Sequence, residues 1–237
     1  MYYYGARYYD PRLSIFISVD PLAEKTMTPY QYVSNNPIMR IDPTGMEDHD
    51  YTLNKETGRI TLVRNTNDDF DRILVTDDKG KIEKHGTGFL VPKDKKGKEK
   101  VAVDNIPKGI LKNNMNFKRI SNTFSVNGKD EPTLKEFDKF ISEFTDYLGK
   151  EIAGVRLGND TKDKNVTSVK IYKYMNNTRD KSSTPKSWFT DFGDRLKSHF
   201  HTHPYHDHVP SDQDKQIKTD YPNLQFYIIS GGYEKQY

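Results

Sequence analysis

The chain has 237 residues, of which 33% are hydrophobic, 30% charged and 12% aromatic, and its net charge is +3. The polar composition favours one real core rather than a core that runs through the whole chain, whereas the aromatic share excludes a wholly disordered chain. Because there is no cysteine, disulfides and thiolate metal sites are excluded, and any metal must be held by His, Asp or Glu.

The first region, residues 1–46, is rich in Tyr, Pro and Asn. It contains four dipeptides that are typical of turns, namely Asp10-Pro11, Asp20-Pro21, Asn36-Pro37 and Asp42-Pro43. This spacing predicts short extended pieces joined by tight turns and no helices.

The middle region, residues 47–130, indicates weak strands separated by Asn, Asp, Gly and Lys. Residues 59–63 and 72–75 are the strand candidates, residues 78–80 form a candidate turn, and the Lys-rich stretch 93–100 is predicted to be a solvated loop. The first and middle regions together are therefore predicted to be irregular and β-rich, without candidate chemistry in the middle region.

The third region alternates between helix and strand patterns. Apolar residues recur at helical spacing over 134–148, Thr133 and Glu136 form a capping-box pattern, and Gly149 is a candidate stop. Strands are predicted over 151–158, 166–174, 196–203 and 224–229, with a short helix that starts at Ser211. This order predicts an α/β domain with a mixed sheet flanked by helices.

Five of the seven histidines fall between residues 199 and 208. His201 and His203 are two residues apart, so on a strand their side chains lie on the same side. Asp214, on the first turn of the next helix, can supply a third ligand. Two histidines and one carboxylate leave a fourth tetrahedral position for water, which is typical of a catalytic zinc site.

The stretch from His201 to Asp214 resembles the motif of the JAMM (JAB/MPN) metalloproteases, which is His-x-His, seven residues, Ser, two residues and Asp. Glu151 opens a Glu-x-x-Gly-x-x-x-Gly stretch like that of the family, and the resemblance covers about 134–237. It implies a small JAB/MPN-like domain in which His201, His203 and Asp214 hold zinc. It further implies that Glu151 is the general base, that Ser211 donates to the oxyanion, and that an amide or isopeptide bond is hydrolysed.

Each group also has a simpler interpretation. Ser211 to Asp214 is a capping-box pattern, in which Asp214 would only satisfy the helix start. The histidine pair could be surface residues, and Glu151 a surface charge. The remaining histidines lie outside the motif and are expected to be loop residues or neighbours of the ligands: His199, His206 and His208.

Residues 1–46 resemble the RHS repeat-associated core domain, in the succession YYYGARYYDPRL, FISVDPL, YQYVSNNP and IDPTGM. In that family this segment ends a β-repeat shell, which encloses a variable C-terminal toxin and releases it by self-cleavage. The resemblance implies an aspartyl pair at Asp20 and Asp42, with the cut after Met46. Alternatively, both Asp-Pro pairs are ordinary turn starters.

The two resemblances together indicate three parts: an RHS-core remnant at 1–46, a β-rich linker or pre-toxin region at 47–130, and a JAB-like toxin domain of the polymorphic toxin type at 131–237. A secreted or delivered bacterial effector is expected, with a protein substrate, a cognate immunity protein and, in a longer chain, the RHS shell as partners. The sequence has no apolar run near the roughly 20 residues of a membrane span and no signal-peptide pattern, and nucleic acid is a less favoured partner. The alternatives are a metal-dependent nuclease toxin and a catalytically inactive RHS cassette fragment.

Overall fold

The computed structural model describes residues 2–3, 8–10, 12–13, 15–18, 48–66, 70–159, 165–206 and 208–237. Within these ranges the protein is mixed α/β, with two mixed sheets, one small antiparallel sheet and few helices. No helix in these ranges is long and apolar enough to span a membrane. Asp20, Asp42 and Met46, the residues of the predicted self-cleavage, lie outside the described residues.

The two sheets in the N-terminal half are built from short strands. A three-stranded antiparallel sheet contains Tyr2–Tyr3 (β1), Tyr8–Asp10 (β2) and Ile15–Phe16 (β3). A four-stranded sheet has the order β5-β4-β6-β7, in which only the β4–β6 pair is parallel. Its strands are Asp48–Asn54 (β4), Arg59–Thr66 (β5), Asp71–Leu74 (β6) and Val101–Ile106 (β7). Both strands predicted for the middle region are confirmed.

The C-terminal half is organised around a six-stranded sheet of order β13-β12-β11-β9-β10-β8, in which only β11 and β12 are parallel. Its strands are Asn122–Ser125 (β8), Ala153–Leu157 (β9), Ser168–Ile171 (β10), Leu196–Thr202 (β11), Gln225–Ser230 (β12) and Tyr233–Gln236 (β13). Three helices accompany it: Leu134–Leu148 (α1), Trp188–Asp191 (α2) and Asp212–Asp220 (α3). The four predicted strands and both predicted helices are present among the described residues.

Helix α1 begins and ends at the predicted residues. The Thr133 side chain accepts from the Glu136 N–H while the Glu136 side chain accepts from the Thr133 N–H, and Gly149 closes the helix at φ 63°. Its apolar face carries phenylalanines that lie in one core with residues of both mixed sheets. The rings of Phe117 and Phe144 are 4.8 Å apart, which joins the middle region to the helix. The division of the chain at 130/131 remains a prediction.

Two glycines of the Glu-x-x-Gly-x-x-x-Gly stretch lie where a side chain does not fit. A Cβ on Gly154 would come within 2.6 Å of the Lys170 carbonyl oxygen and 2.7 Å of the Phe200 ring. A Cβ on Gly158 would lie 2.8 Å from the Asn165 carbonyl oxygen. Strand β9 can therefore approach β10 and β11 closely only because these positions are glycine.

Arg156 is buried in the centre of the six-stranded sheet, where an unpaired charge would be costly. Its guanidinium lies 2.8 Å from the Asp138 carboxylate on α1 and 2.6 Å from the Glu234 carboxylate on β13. The face of the Tyr227 ring lies 4.9 Å away. These contacts neutralise the charge and connect the helix to two strands.

Candidate metal centre

The two motif histidines are placed by the centre of the sheet. Strand β11 pairs with antiparallel β9 on one side and parallel β12 on the other, so His201 lies opposite Ala153 and Ile228. His203 follows the end of the strand, where its N–H donates to the Ile229 carbonyl over 3.0 Å. The Ser230 hydroxyl donates to the His203 carbonyl over 2.7 Å. The backbone of both histidines is therefore held by pairing with neighbouring strands, and both side chains are buried.

Asp214 is held at the start of helix α3. Ser211 is the N-cap, its hydroxyl accepts from the Asp214 N–H, and Asp214 Oδ2 accepts from the Ser211 N–H over 2.8 Å and from its hydroxyl over 2.7 Å. The same Oδ2 lies 3.5 Å from His201 Nε2. The predicted capping box is thus present, and it orients the carboxylate towards the histidines. The Ser211 hydroxyl donates to Asp214 in this arrangement, so the oxyanion role of Ser211 stays a prediction.

Glu151 reaches the histidines from the loop between α1 and β9. Its N–H donates to the Thr178 carbonyl over 2.8 Å, and the Asn177 side-chain amide donates to its carbonyl over 2.9 Å. The carboxylate Oε1 lies 3.4 Å from His203 Nε2, and the side chain is buried. Glu151 is therefore not a surface charge, and its backbone is fixed on both sides by a loop far away in sequence.

The donor atoms fit a small divalent cation. His201 Nε2 and His203 Nε2 face each other at 3.0 Å, and ligand atoms of these two residues and Asp214 all lie within 4.8 Å of one another. Ligands at zinc distances on the corners of a tetrahedron are roughly 3.3 Å apart. Two imidazole nitrogens and a carboxylate oxygen are also a ligand set that zinc accepts. The geometry is thus consistent with a metal site, while the identity of the metal is not determined by it.

The two acidic groups of the site are in different electrostatic environments. Burial raises the pKa of Glu151 to about 7. The charges of Asp214 and Asp180 also raise this pKa, whereas His201 and a hydrogen bond from Ser182 lower it. For Asp214, burial favours the neutral acid, but hydrogen bonds from His201 and Ser211 outweigh it and hold the pKa below its ordinary value. Asp214 is therefore an anion near neutral pH, whereas Glu151 can exchange a proton there.

The histidines outside the motif behave differently from the pair. His199 lies on β11, where burial lowers its pKa to about 3, and its Nε2 lies 3.2 Å from the Thr184 hydroxyl. It is a neutral core residue on the strand and a neighbour of His201, which is one of the two positions expected for it. His208 Nε2 lies 3.3 Å from the Tyr233 carbonyl, and the His206 side chain is outside the described part.

Several residues that support the site carried no signal in the sequence. Thr202, between the two histidines, accepts from the Ile152 N–H over 2.8 Å and shares a 2.6 Å hydrogen bond with Thr145 on α1. Tyr237 places its ring edge-to-face with His201, 5.9 Å between centroids. Asn177 fixes Glu151 from a segment with no helix or strand pattern. Such contacts depend on tertiary placement, which spacing along the chain does not reveal.

An open cavity of about 290 Å³ gives access to Glu151, His203 and Asp214. Arg179 and Tyr205 form part of its wall, and the guanidinium lies 4.9 Å from the Tyr205 ring centroid. Tyr205 has a left-handed backbone, φ 65°, which is costly for a tyrosine, and its N–H donates to Asp146 over 2.8 Å. The candidate site is therefore reached from a cavity whose wall includes a strained tyrosine.

Comparisons with known proteins reach only a fraction of the chain. A stretch of 50 residues is 42% identical to the tRNA nuclease WapA of Bacillus subtilis (strain 168), which is 19% of this chain and 2% of that protein. A stretch of 45 residues is 44% identical to salivary gland surface protein 1 of Aedes aegypti, again 19% of this chain and 1% of that protein. No family model matches the chain, and no solved structure matches it. These similarities extend to about a fifth of this chain and to a very small part of each relative.

Proposed function

We propose that this chain is a bacterial polymorphic-toxin effector with a zinc-dependent peptidase or isopeptidase domain of the JAMM type, hydrolysing amide bonds. One observation carries the proposal. Glu151, His201, His203 and Asp214 converge from three separate segments, and Glu151, His203 and Asp214 line one cavity. A surface cluster of capping and solvated residues would not require this convergence.

In this proposal the residues of the site have different roles, which follow from their positions and charges. His201, His203 and Asp214 would hold the ion, which when bound supplies Lewis-acid polarisation of a carbonyl and acidifies water. Glu151, 3.4 Å from His203 and buried, is placed to take a proton from water and to return it to the leaving amine. Ser211 orients Asp214 through its hydroxyl. The loop at Asn177 and Thr178 fixes the position of Glu151.

The decisive variant is Glu151→Gln, which keeps the size of the side chain and removes its basicity. We expect the purified full-length variant to retain zinc, measured by atomic emission, and to lose hydrolysis of isopeptide-linked ubiquitin-like conjugates by roughly 10²- to 10⁴-fold. Glu56→Gln makes the same chemical change on an exposed side chain and should leave both readings unchanged. A Glu151→Gln protein with full activity would exclude the assigned role.

A metal-dependent nuclease is the second candidate, because of the similarity to a protein named as a tRNA nuclease. Incubation of the full chain with tRNA and with plasmid, with and without a chelator, separates the two chemistries. Chelator-sensitive cleavage of RNA or DNA with intact protein conjugates would support the nuclease. A purified protein with less than one zinc per chain and no activity on any of these substrates would instead indicate an inactive fragment.

A further inference from the structure

A basic arm with an apolar tip projects from the four-stranded sheet between β6 and β7. The arm consists of residues 76–100. Its base is closed by isolated bridges between Thr76 and Ile82 and between Lys84 and Glu99. The His85 N–H donates to the Lys98 carbonyl over 2.8 Å, and the Gly97 N–H to the His85 carbonyl over 3.1 Å. The hydrogen bonds leave residues 86–96 as a loop that is tethered at its base only.

The tip of this loop presents two large apolar side chains to solvent. The Val91 N–H donates to the Gly88 carbonyl over 3.2 Å, so Phe89 and Leu90 occupy the central positions of a β-turn. Phe89 is 98% exposed and Leu90 94%, the highest values for large hydrophobic residues in the described part of the chain. Central turn positions are normally taken by Gly, Pro, Asn, Asp or Ser. Two adjacent apolar residues at the centre of an exposed turn indicate that these side chains contact an apolar phase.

The residues around the tip are strongly basic. Residues 84–100 contain six lysines and two acidic residues, a net charge of +4, whereas the whole chain carries +3. Lys93, Lys95 and Lys98 are exposed. Glu99 is engaged by Arg64 on β5, which leaves less negative charge to offset the lysines. The arm therefore concentrates positive charge directly behind the apolar tip.

We infer that this arm is a membrane-docking element, in which Phe89 and Leu90 insert into an anionic lipid bilayer while the lysines contact its headgroups. Apolar groups at a bilayer interface gain from leaving water, and juxtamembrane lysines gain from negative surface charge. A nucleic acid or an acidic protein would satisfy the lysines but would leave the apolar tip in water. The arm lies outside the candidate metal centre, so the inference does not depend on the proposed function.

The test is sedimentation of the purified full chain with vesicles. We expect binding to vesicles of phosphatidylcholine mixed with an equal amount of phosphatidylserine, and much weaker binding to phosphatidylcholine alone. Replacing Phe89 and Leu90 together by Ser should weaken binding to the mixed vesicles by about tenfold or more. Ile120→Ser, at an exposed apolar residue elsewhere, should bind as the unmodified chain does.

The contribution of charge is tested separately. Lys93→Gln with Lys95→Gln should weaken binding roughly fivefold per lysine, whereas Lys129→Gln with Lys135→Gln, at exposed positions outside the arm, should change it little. Phe89→Trp should shift its emission to shorter wavelength on the mixed vesicles. Absence of binding to the mixed vesicles overturns the inference. Equal binding by the Phe89 and Leu90 double variant also overturns it, because purely electrostatic adsorption would then suffice.

Discussion

At the scale of single residues, one oxygen atom of Asp214 completes the helix cap and is also positioned for a second, proposed purpose, metal binding. Its Oδ2 accepts two hydrogen bonds from Ser211 and faces His201 at 3.5 Å. In the sequence, helix capping and metal binding were alternative interpretations of Asp214, because a capping box and a ligand set can both use an aspartate three residues after Ser211. The geometry makes them compatible, since the cap fixes the carboxylate in the orientation that a ligand needs.

The two purposes can be separated by Asp214→Asn. The amide oxygen of Asn still accepts from the Ser211 N–H, so the helix start is kept, but the anionic ligand is lost. We expect zinc affinity, measured by competition with a chromophoric chelator, to fall by about tenfold or more. Asp212→Asn removes a charge from the same helical turn, where the side chain is fully exposed, and should retain the affinity. Equal zinc binding by the two variants would show that Asp214 is a cap only.

At the scale of elements, strand β9 determines how close Glu151 lies to the histidines. The strand is buried throughout and lies between β10 and β11. Its approach depends on Gly154, where a Cβ would meet backbone on one side and the Phe200 ring on the other. Glu151 lies two residues before the first residue of this strand, so an outward shift of β9 would also move the carboxylate.

Gly154→Ala should therefore destabilise the protein. Overpacking at such a site costs about 1–3 kcal/mol, which urea unfolding at constant pH would measure as a lower midpoint. Gly88→Ala is the matched control, because a Cβ there meets nothing within 4 Å and the φ angle is not positive. An unchanged midpoint for Gly154→Ala would mean that β9 can shift without loss of packing.

Much of the C-terminal element order could be predicted from the sequence, because the signals are local. Helix α1 has both caps and a clear apolar period, and the stretch that contains β10 alternates between polar and apolar residues. The role of the 177–182 loop in holding Glu151 could not be predicted, since its hydrogen bonds join residues that are distant along the chain. Which of the two positions expected for His199 is occupied could not be decided from the sequence, because its burial follows from the position of β11 in the centre of the sheet.

At the scale of the whole molecule, the Arg156 network holds the helix layer onto the sheet. Arg156 on β9 contacts Asp138 on α1 and Glu234 on β13. Burial raises the pKa of Asp138 to about 6, against the opposing charge of Arg156. The native state thus binds a proton at Asp138 more tightly than the unfolded chain does.

This difference predicts a pH dependence of stability. Between about pH 4 and 6 the native state holds more protons at Asp138 than the unfolded state, so the free energy of unfolding that this residue contributes falls as the pH rises. The unfolding free energy of the unmodified protein minus that of Asp138→Asn should fall by up to roughly 3 kcal/mol as the pH rises across that window. Asp212→Asn, with an exposed carboxylate, is the control. A constant difference would contradict the raised pKa.

The four groups of the candidate site come from three separate segments of the chain. Glu151, the histidine pair and Asp214 come together only when β9, β11 and α3 are all in place. A chain that is still being synthesised, or that is threaded through a narrow opening in extended form, cannot assemble the centre. Any chemistry at this centre therefore cannot occur until β9, β11 and α3 have packed together, so that activity depends on completed folding.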